Sequence, residues 1–319
     1  MKNVRNILLV LSLIGMIGCK YDDEFLDAKL PKTIAYFASE QNYSRTVIVG
    51  EGLQFRIGAA MAGVLSNKKN QTVDFQIGKI LNKTSPTDTR ILLPANYYNS
   101  GELGNNIKAV IPAGEFLGYF TVKLDSVAFL NDPISVYKDP INSTVGYTIP
   151  VKIIGTSLDS IANGLDSIKV SVRYMADVDG YYLFQSVIQK EVAGSIIASK
   201  TKTDNYANES DNSAWRLLTI GPFKVKATSA VAAFTSGLSF NLTVQNNTVL
   251  YESITGQPLV TGEGANSYDP KTRDFTLNYN YKKASVPDTT YHVSSKLIFR
   301  NRMVDKVNET RDYLKYLNK

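Results

Sequence analysis

From Thr33 onward, apolar and polar residues alternate along the chain, and stretches with helical spacing are scarce. Strict alternation gives a strand one buried face; it cannot hold an apolar stripe on one side of a helix. The alternating runs are short: TIAYF (33–37), TVIV (46–49), LQFRIGA (53–59), TVDFQIG (72–78), TRILLP (89–94), IKAVIPA (107–113), FLGYFTVKL (116–124), GYTIPVKIIG (146–155) and SIKVSVRYM (167–175). Gly, Asn, Asp and Pro lie between them, as turns require. Many short strands separated by turn signals predict an all-β fold, beginning with a β-sandwich.

ADVDG (176–180) follows that pattern and reads as a boundary turn. Its pair Asp177 and Asp179 falls far short of the six to eight oxygens of a calcium site. Longer runs come next: YYLFQSVIQKEV (181–192), AWRLLTIGPFKVKA (214–227), GLSFNLTVQNNTVLYES (237–253), RDFTLNYNYKK (273–283) and YHVSSKLIFRNR (291–302). QNN (245–247) and the Asp269-Pro270 step are turn signals. Successive hairpins of this kind predict an up-and-down β-barrel. The terminal NETRDYLKYLNK (308–319) predicts one or two helical turns. At 319 residues the chain has room for both domains, the sandwich over 30–176 and the barrel over 177–319.

The first 29 residues read differently. Lys2 and Arg5 precede the uncharged run ILLVLSLIGMI (7–17), which is too short to span a bilayer. A basic start, a short apolar run and a small residue before a break predict a secretory signal peptide over 1–18. Gly18-Cys19 resembles the end of a bacterial lipoprotein signal, with Met16 where the usual pattern has Leu. That resemblance implies acylation of Cys19 and an acylated tether over 19–29. Lys20-Tyr21-Asp22-Asp23-Glu24 is similar to the Lys-then-acids signal that places Bacteroidota lipoproteins on the outer face of the outer membrane.

Composition excludes several chemistries. The net charge is +6, or +4 once Lys2 and Arg5 are subtracted, and no dense Lys/Arg block occurs. A nucleic-acid partner is therefore not expected. One cysteine precludes an internal disulfide and a multi-cysteine zinc site, and one histidine, His292, precludes a multi-histidine site. No metal or cofactor is expected. A Ser-His-Asp triad would have to use His292, which sits in a strand pattern without a nucleophile elbow. TGEGANS (261–267) lacks the features of a phosphate loop and reads as a hairpin loop. Paired carboxylates for glycoside hydrolysis are not legible in a linear sequence, and the βαβ alternation of a barrel hydrolase is missing. The reading is of a protein that is not an enzyme.

Several segments resemble one group of Bacteroidota surface lipoproteins. RILLPANYY (90–98), IPAGEFLGYFTVKL (111–124) and GYTIPVKI (146–153) resemble an Ig-like N-terminal family, domain of unknown function 1735. SYDPKTRDFTLNYNY (267–281) and IFRNRMVDKVNE (298–309) resemble the lipocalin-like domain of unknown function 4361 that often follows it. The resemblance implies an Ig-like sandwich followed by a lipocalin-like barrel. It also implies a partnership with SusC/SusD-type importers and capture of glycans at the cell surface. The alternative is a structural or adhesive surface lipoprotein with a protein partner.

Sugar recognition by β domains uses an aromatic ring against the pyranose face, with amides and carboxylates on the hydroxyls. Trp215 follows a polar stretch carrying Asn205, Tyr206, Asn208, Asp211 and Asn212, which makes Trp215, Tyr206, Asn208 and Asp211 one candidate glycan site. WRLLTI also alternates like a half-buried strand, which would place Trp215 in the core. Tyr97 and Tyr98, between Asn96 and Asn99, are a second candidate and equally suit loop packing. The triplets at 125–127, 159–161, 166–168 and 288–290 match a short O-glycosylation pattern of Bacteroidota, with Ser126, Ser160, Ser167 and Thr289 as acceptors.

Overall fold

The computed structural model describes residues 32–39, 42–78, 89–98, 107–137, 145–203, 214–229 and 238–311. The leader, Cys19 and the tether lie outside them, as do Asn205, Tyr206, Asn208, Asp211 and Asn212.

The protein is all-β. Its first part holds β1 (Ile34–Tyr36), β2 (Asn42–Ile48), β3 (Gln54–Ala62), β4 (Gln71–Ile77), β5 (Thr89–Leu92), β6 (Ile107–Ile111), β7 (Leu117–Lys123), β8 (Val145–Thr156), β9 (Ser160–Ile161) and β10 (Ser167–Met175). One sheet runs β7-β3-β1-β9 and the other β2-β10-β8-β4-β6, with β5 added alongside β8. The alternation seen in sequence sets the inner faces. In β4 it buries Gln71, Val73 and Phe75, and in β6 it buries Ile107, Ala109 and Ile111. The two inner faces meet in a core containing Phe37, Ile57, Phe75, Phe120, Val122, Phe129, Ile149 and Tyr174. β2 joins the second sheet parallel to β10, so two strands distant in sequence close one edge.

The second part begins after a turn at Ala176–Asp179, closed by Asp179 N donating to Ala176 O at 3.0 Å. Its strands are β11 (Gly180–Val192), β12 (Ser195–Thr203), β13 (Trp215–Gly221), β14 (Lys224–Ser229), β15 (Leu238–Gln245), β16 (Thr248–Ser253), β17 (Leu259–Gly262), β18 (Ser267–Asp269), β19 (Asp274–Lys282), β20 (Thr289–Val304) and β21 (Val307–Thr310). Hairpins link β13 through β16 in order, and β19 pairs with β20. The antiparallel pairing of β20 with β11 along Tyr181–Val192 closes this sheet into a barrel. The interior is filled by rings: Tyr182, Trp215, Phe240, Phe275, Tyr279, Tyr281, Tyr291 and Phe299 are all buried. Burial pushes the Tyr279 phenol well above its ordinary range, so it stays neutral inside the barrel.

The two cores divide the chain at one point, since Tyr174 packs in the first and Ala176 in the second. The run AWRLLTIGPFKVKA folds as two strands, because Pro222 and Phe223 turn the chain between β13 and β14. The expected terminal helix does not begin at Asn308: Val307–Thr310 is strand β21, because pairing with β20 satisfies its backbone better than one isolated helical turn would. Residues 312–319 lie outside the described part.

Candidate functional site at the domain junction

Three turns at one end of the barrel face a turn of the sandwich. Asn246 and Asn247 form the two-residue loop between β15 and β16, with φ of 50° and 63°. Both are in the left-handed region, which a twisted two-residue hairpin requires and Asn tolerates. Pro222 and Phe223 form the turn between β13 and β14, and Pro270 lies in the turn after β18. From the sandwich come Gly50 and Glu51, just after β2. The connecting residues Asp177 and Val178 form the base.

These residues enclose a cleft of about 340 Å³, within the usual range for small-molecule sites. Phe223 is 51% exposed at its edge. Backbone hydrogen bonds hold the turns: Val244 N donates to Phe223 O, and Tyr268 N donates to Asn247 O, both at 2.9 Å. The Tyr268 hydroxyl donates to Asp177 Oδ2 at 2.6 Å. Burial, reinforced by that carboxylate, drives the Tyr268 phenol far up, so it remains a donor.

A buried cation fixes the geometry from behind. The Arg302 side chain is 0% exposed. Its Nη2 donates to Glu51 Oε1 at 2.6 Å and its Nε to Glu309 Oε2 at 2.5 Å, and its Nη1 lies 3.8 Å from Asp177 Oδ1. Burial pulls this guanidinium down, but Glu51 and Glu309 outweigh it and hold Arg302 above its ordinary value. Arg273 sits over the Phe299 ring at 3.8 Å and donates to the Asp177 and Asp179 carbonyls. The β20–β21 turn clips onto β2, where Thr46 N and Oγ1 donate to the two Asp305 oxygens, each at 2.8 Å. Val304 packs beside Ile48, Tyr137 and Met175. The cleft is thus preformed between braced parts.

Of the residues expected to bind sugar, the three that the structure describes, Trp215, Tyr97 and Tyr98, do not line this cleft. Trp215 is 2% exposed and packs edge-on to Phe240 at 5.9 Å, inside the barrel. In this position its ring cannot stack on a sugar; alternation along β13 turns it inward. Tyr97 donates to Asp132 Oδ2 at 2.7 Å and meets Phe129 and Tyr147 edge-on. Tyr98 is half-buried against the same core. Both follow the loop-packing reading. Among the glycosylation triplets, Ser126 and Ser167 are exposed and Ser160 is half-buried. Thr289 is 6% exposed at the start of β20, so the folded chain withholds that acceptor. The sequence did not mark Phe223 or Glu51 as ligand residues; it offered Asn246 and Asn247 only as a turn and Asp177 only as an insufficient calcium ligand. The legible signal was Gly-Pro-Phe: a large aromatic at a turn apex has no core to enter. Among the described residues, no group of three or more His, Cys, Asp or Glu could hold a metal ion.

No protein-family model matches the chain, and no curated protein matches it. Among solved structures, a Bacteroides ovatus protein of unknown function superposes with TM-score 0.62 at 18% identity, covering 84% of this chain and 94% of its own. That likeness shows the fold. A second Bacteroides ovatus protein, provisionally named a carbohydrate-binding protein, reaches TM-score 0.28 at 10% identity over 88% of this chain and 84% of its own. The Calx CBD1 domain reaches 0.26 at 12% identity over 44% and 97%. The last two are too distant to inform function.

Proposed function

We propose that this is a non-catalytic glycan-binding lipoprotein of the cell surface, and that the junction cleft is its ligand site. The observation that carries the reading is the exposed Phe223 ring, set beside two amides and two carboxylates in a braced cleft. Such a set offers a sugar an apolar face and partners for its hydroxyls. Anchoring through Cys19 to the outer membrane, facing outward, rests on the leader and the acidic stretch after it. Membership of the two lipoprotein domain families and service to a SusC/SusD-type importer rest on the sequence resemblance. An anchored array lets many weak sites act on one polymer.

The test is binding of the full chain, held in detergent, to a panel of polysaccharides. Retardation in affinity gels by at least one glycan is expected. Phe223→Ala should weaken it roughly two- to tenfold, the worth of one ring contact. No retardation by any glycan, with circular dichroism showing an intact fold, would sink the reading. Cys19→Ser should abolish incorporation of a labelled fatty acid.

One observation favours the adhesive alternative. Among the described residues β12 pairs only with β11, and it exposes Ile196 (57%) and Ile197 (59%) at a β-bulge. An edge strand of this kind can receive a strand from a protein partner.

A further inference from the structure

The charges of the junction cleft are arranged unevenly with depth. Of the described residues lining it, the charged ones are Glu51 and Asp177, and none is Lys or Arg. The Glu51 side chain is 47% exposed and that of Asp177 35% exposed. Cations lie close by but behind them. Arg302 is fully buried, its donors directed at Glu51, Glu309 and the Asp177 carbonyl. Arg273 is 3% exposed, its Nη2 bonded to the Asp177 and Asp179 carbonyls. A ligand entering the cleft therefore meets the carboxylates first.

The lining is rich in acceptors. Among the described lining residues the side-chain donors are the amides of Asn246 and Asn247, because the Tyr268 hydroxyl is committed to Asp177. A sugar hydroxyl both donates and accepts, so it can satisfy a carboxylate and an amide in turn. The carboxylate of a uronate, like a sulfate ester, only accepts. Beside Glu51 and Asp177 it would find the Asn246 and Asn247 amides as its side-chain donors but no cation for its charge, and would face like charge at short range. Building a cation into this lining would have been the means of taking acidic polymers, as Arg and Lys do for phosphate and carboxylate.

We infer that the cleft selects uncharged, hydroxyl-rich glycans and rejects uronate-bearing and sulfated ones. This rests on the glycan-binding reading and narrows it. Glu51 and Asp177 act as selectivity residues: they attract hydroxyl donors and repel anions.

The experiment compares two neutral polymers, a glucan and a mannan, with polygalacturonate and heparin, on the full chain in detergent at low and at physiological salt. The neutral ligand that binds is expected to do so at least tenfold more tightly than either polyanion. The margin should shrink as salt screens the carboxylates. Glu51→Gln keeps an acceptor for Arg302 while removing a charge, and should narrow the margin by strengthening polyanion binding. Phe223→Ala should weaken the neutral ligand. A polyanion that binds as tightly as the neutral polymers, or neutral binding indifferent to Phe223→Ala, overturns the inference while glycan binding stands. Failure of every polymer, neutral and acidic alike, overturns the glycan-binding reading itself.

Discussion

Arg302, on the last long strand of the barrel, donates to Glu51 of the sandwich at 2.6 Å across 251 residues of sequence. The guanidinium is wholly buried, whereas its partner is half in solvent. This one cation also holds Glu309 and faces Asp177, so it joins sandwich, connection and barrel. Arg302→Ala would leave a cluster of carboxylates without its counter-charge. The expected loss is about 3–5 kcal/mol, measured by urea unfolding. Glu51→Gln keeps one acceptor and should cost under about 1 kcal/mol, as befits an exposed partner. Equal losses from the two variants would show that Arg302 is not the anchor.

Trp215 should behave as a core residue. Trp215→Ala is expected to destabilise by about 3–5 kcal/mol through the cavity it leaves among Phe240 and its neighbours. Glycan affinity of the folded fraction should be unchanged. Selective loss of binding with normal stability would instead return Trp215 to the ligand site.

Asp132 ties Tyr97 and Tyr147 together. It accepts from their hydroxyls at 2.7 Å and 2.5 Å and from Ile134 N at 2.8 Å. Partial burial raises its pKa, but the hydrogen bond from Tyr147, then those from Ile134 and Tyr97, more than offset this and leave it below the ordinary carboxylate value. The folded state therefore binds this proton less readily than the unfolded state. The contribution is complete above the unfolded carboxylate range and is lost as pH falls through the lowered folded value. Asp132→Asn should cost about 1–3 kcal/mol at neutral pH, and the gap to the parent should close in acid. Thermal unfolding across acidic pH checks this.

His292 shows the opposite sign. Its Nδ1 lies 2.9 Å from Glu263 Oε1 and its Nε2 2.9 Å from Glu191 Oε2. Partial burial opposes the charged ring, but the bonds to Glu263 and Glu191 win and raise its pKa above the ordinary value. The stabilisation is full below the unfolded histidine value and fades as pH rises through the raised folded one. Neutral imidazole has one N–H, so one carboxylate then loses its donor. An NMR titration should place the His292 midpoint above that of a free histidine, and Glu263→Gln should lower it. A midpoint unmoved by Glu263→Gln would refute the pairing.

Alternation alone was enough to make this chain all-β, because a strand's two faces are written in every second residue. The turn at Asn246 and Asn247 was legible for a similar reason, since few residues accept two successive left-handed positions. Even the inward turn of Trp215 was implicit in the pattern of WRLLTI. Which residues would share a site was not. Glu51, Asp177, Phe223 and Asn247 are scattered along the chain, and 196 positions separate the first from the last. Only the closing of the barrel and the docking of its turns on the sandwich brought them around one cleft. The Glu191–His292–Glu263 cluster was hidden in the same way: strand pairing sets β11 beside β20, and the loop after β17 swings Glu263 onto the ring. Local periodicity decides which way a side chain faces; the tertiary structure decides what it faces, because that depends on the pairing of strands far apart in the chain.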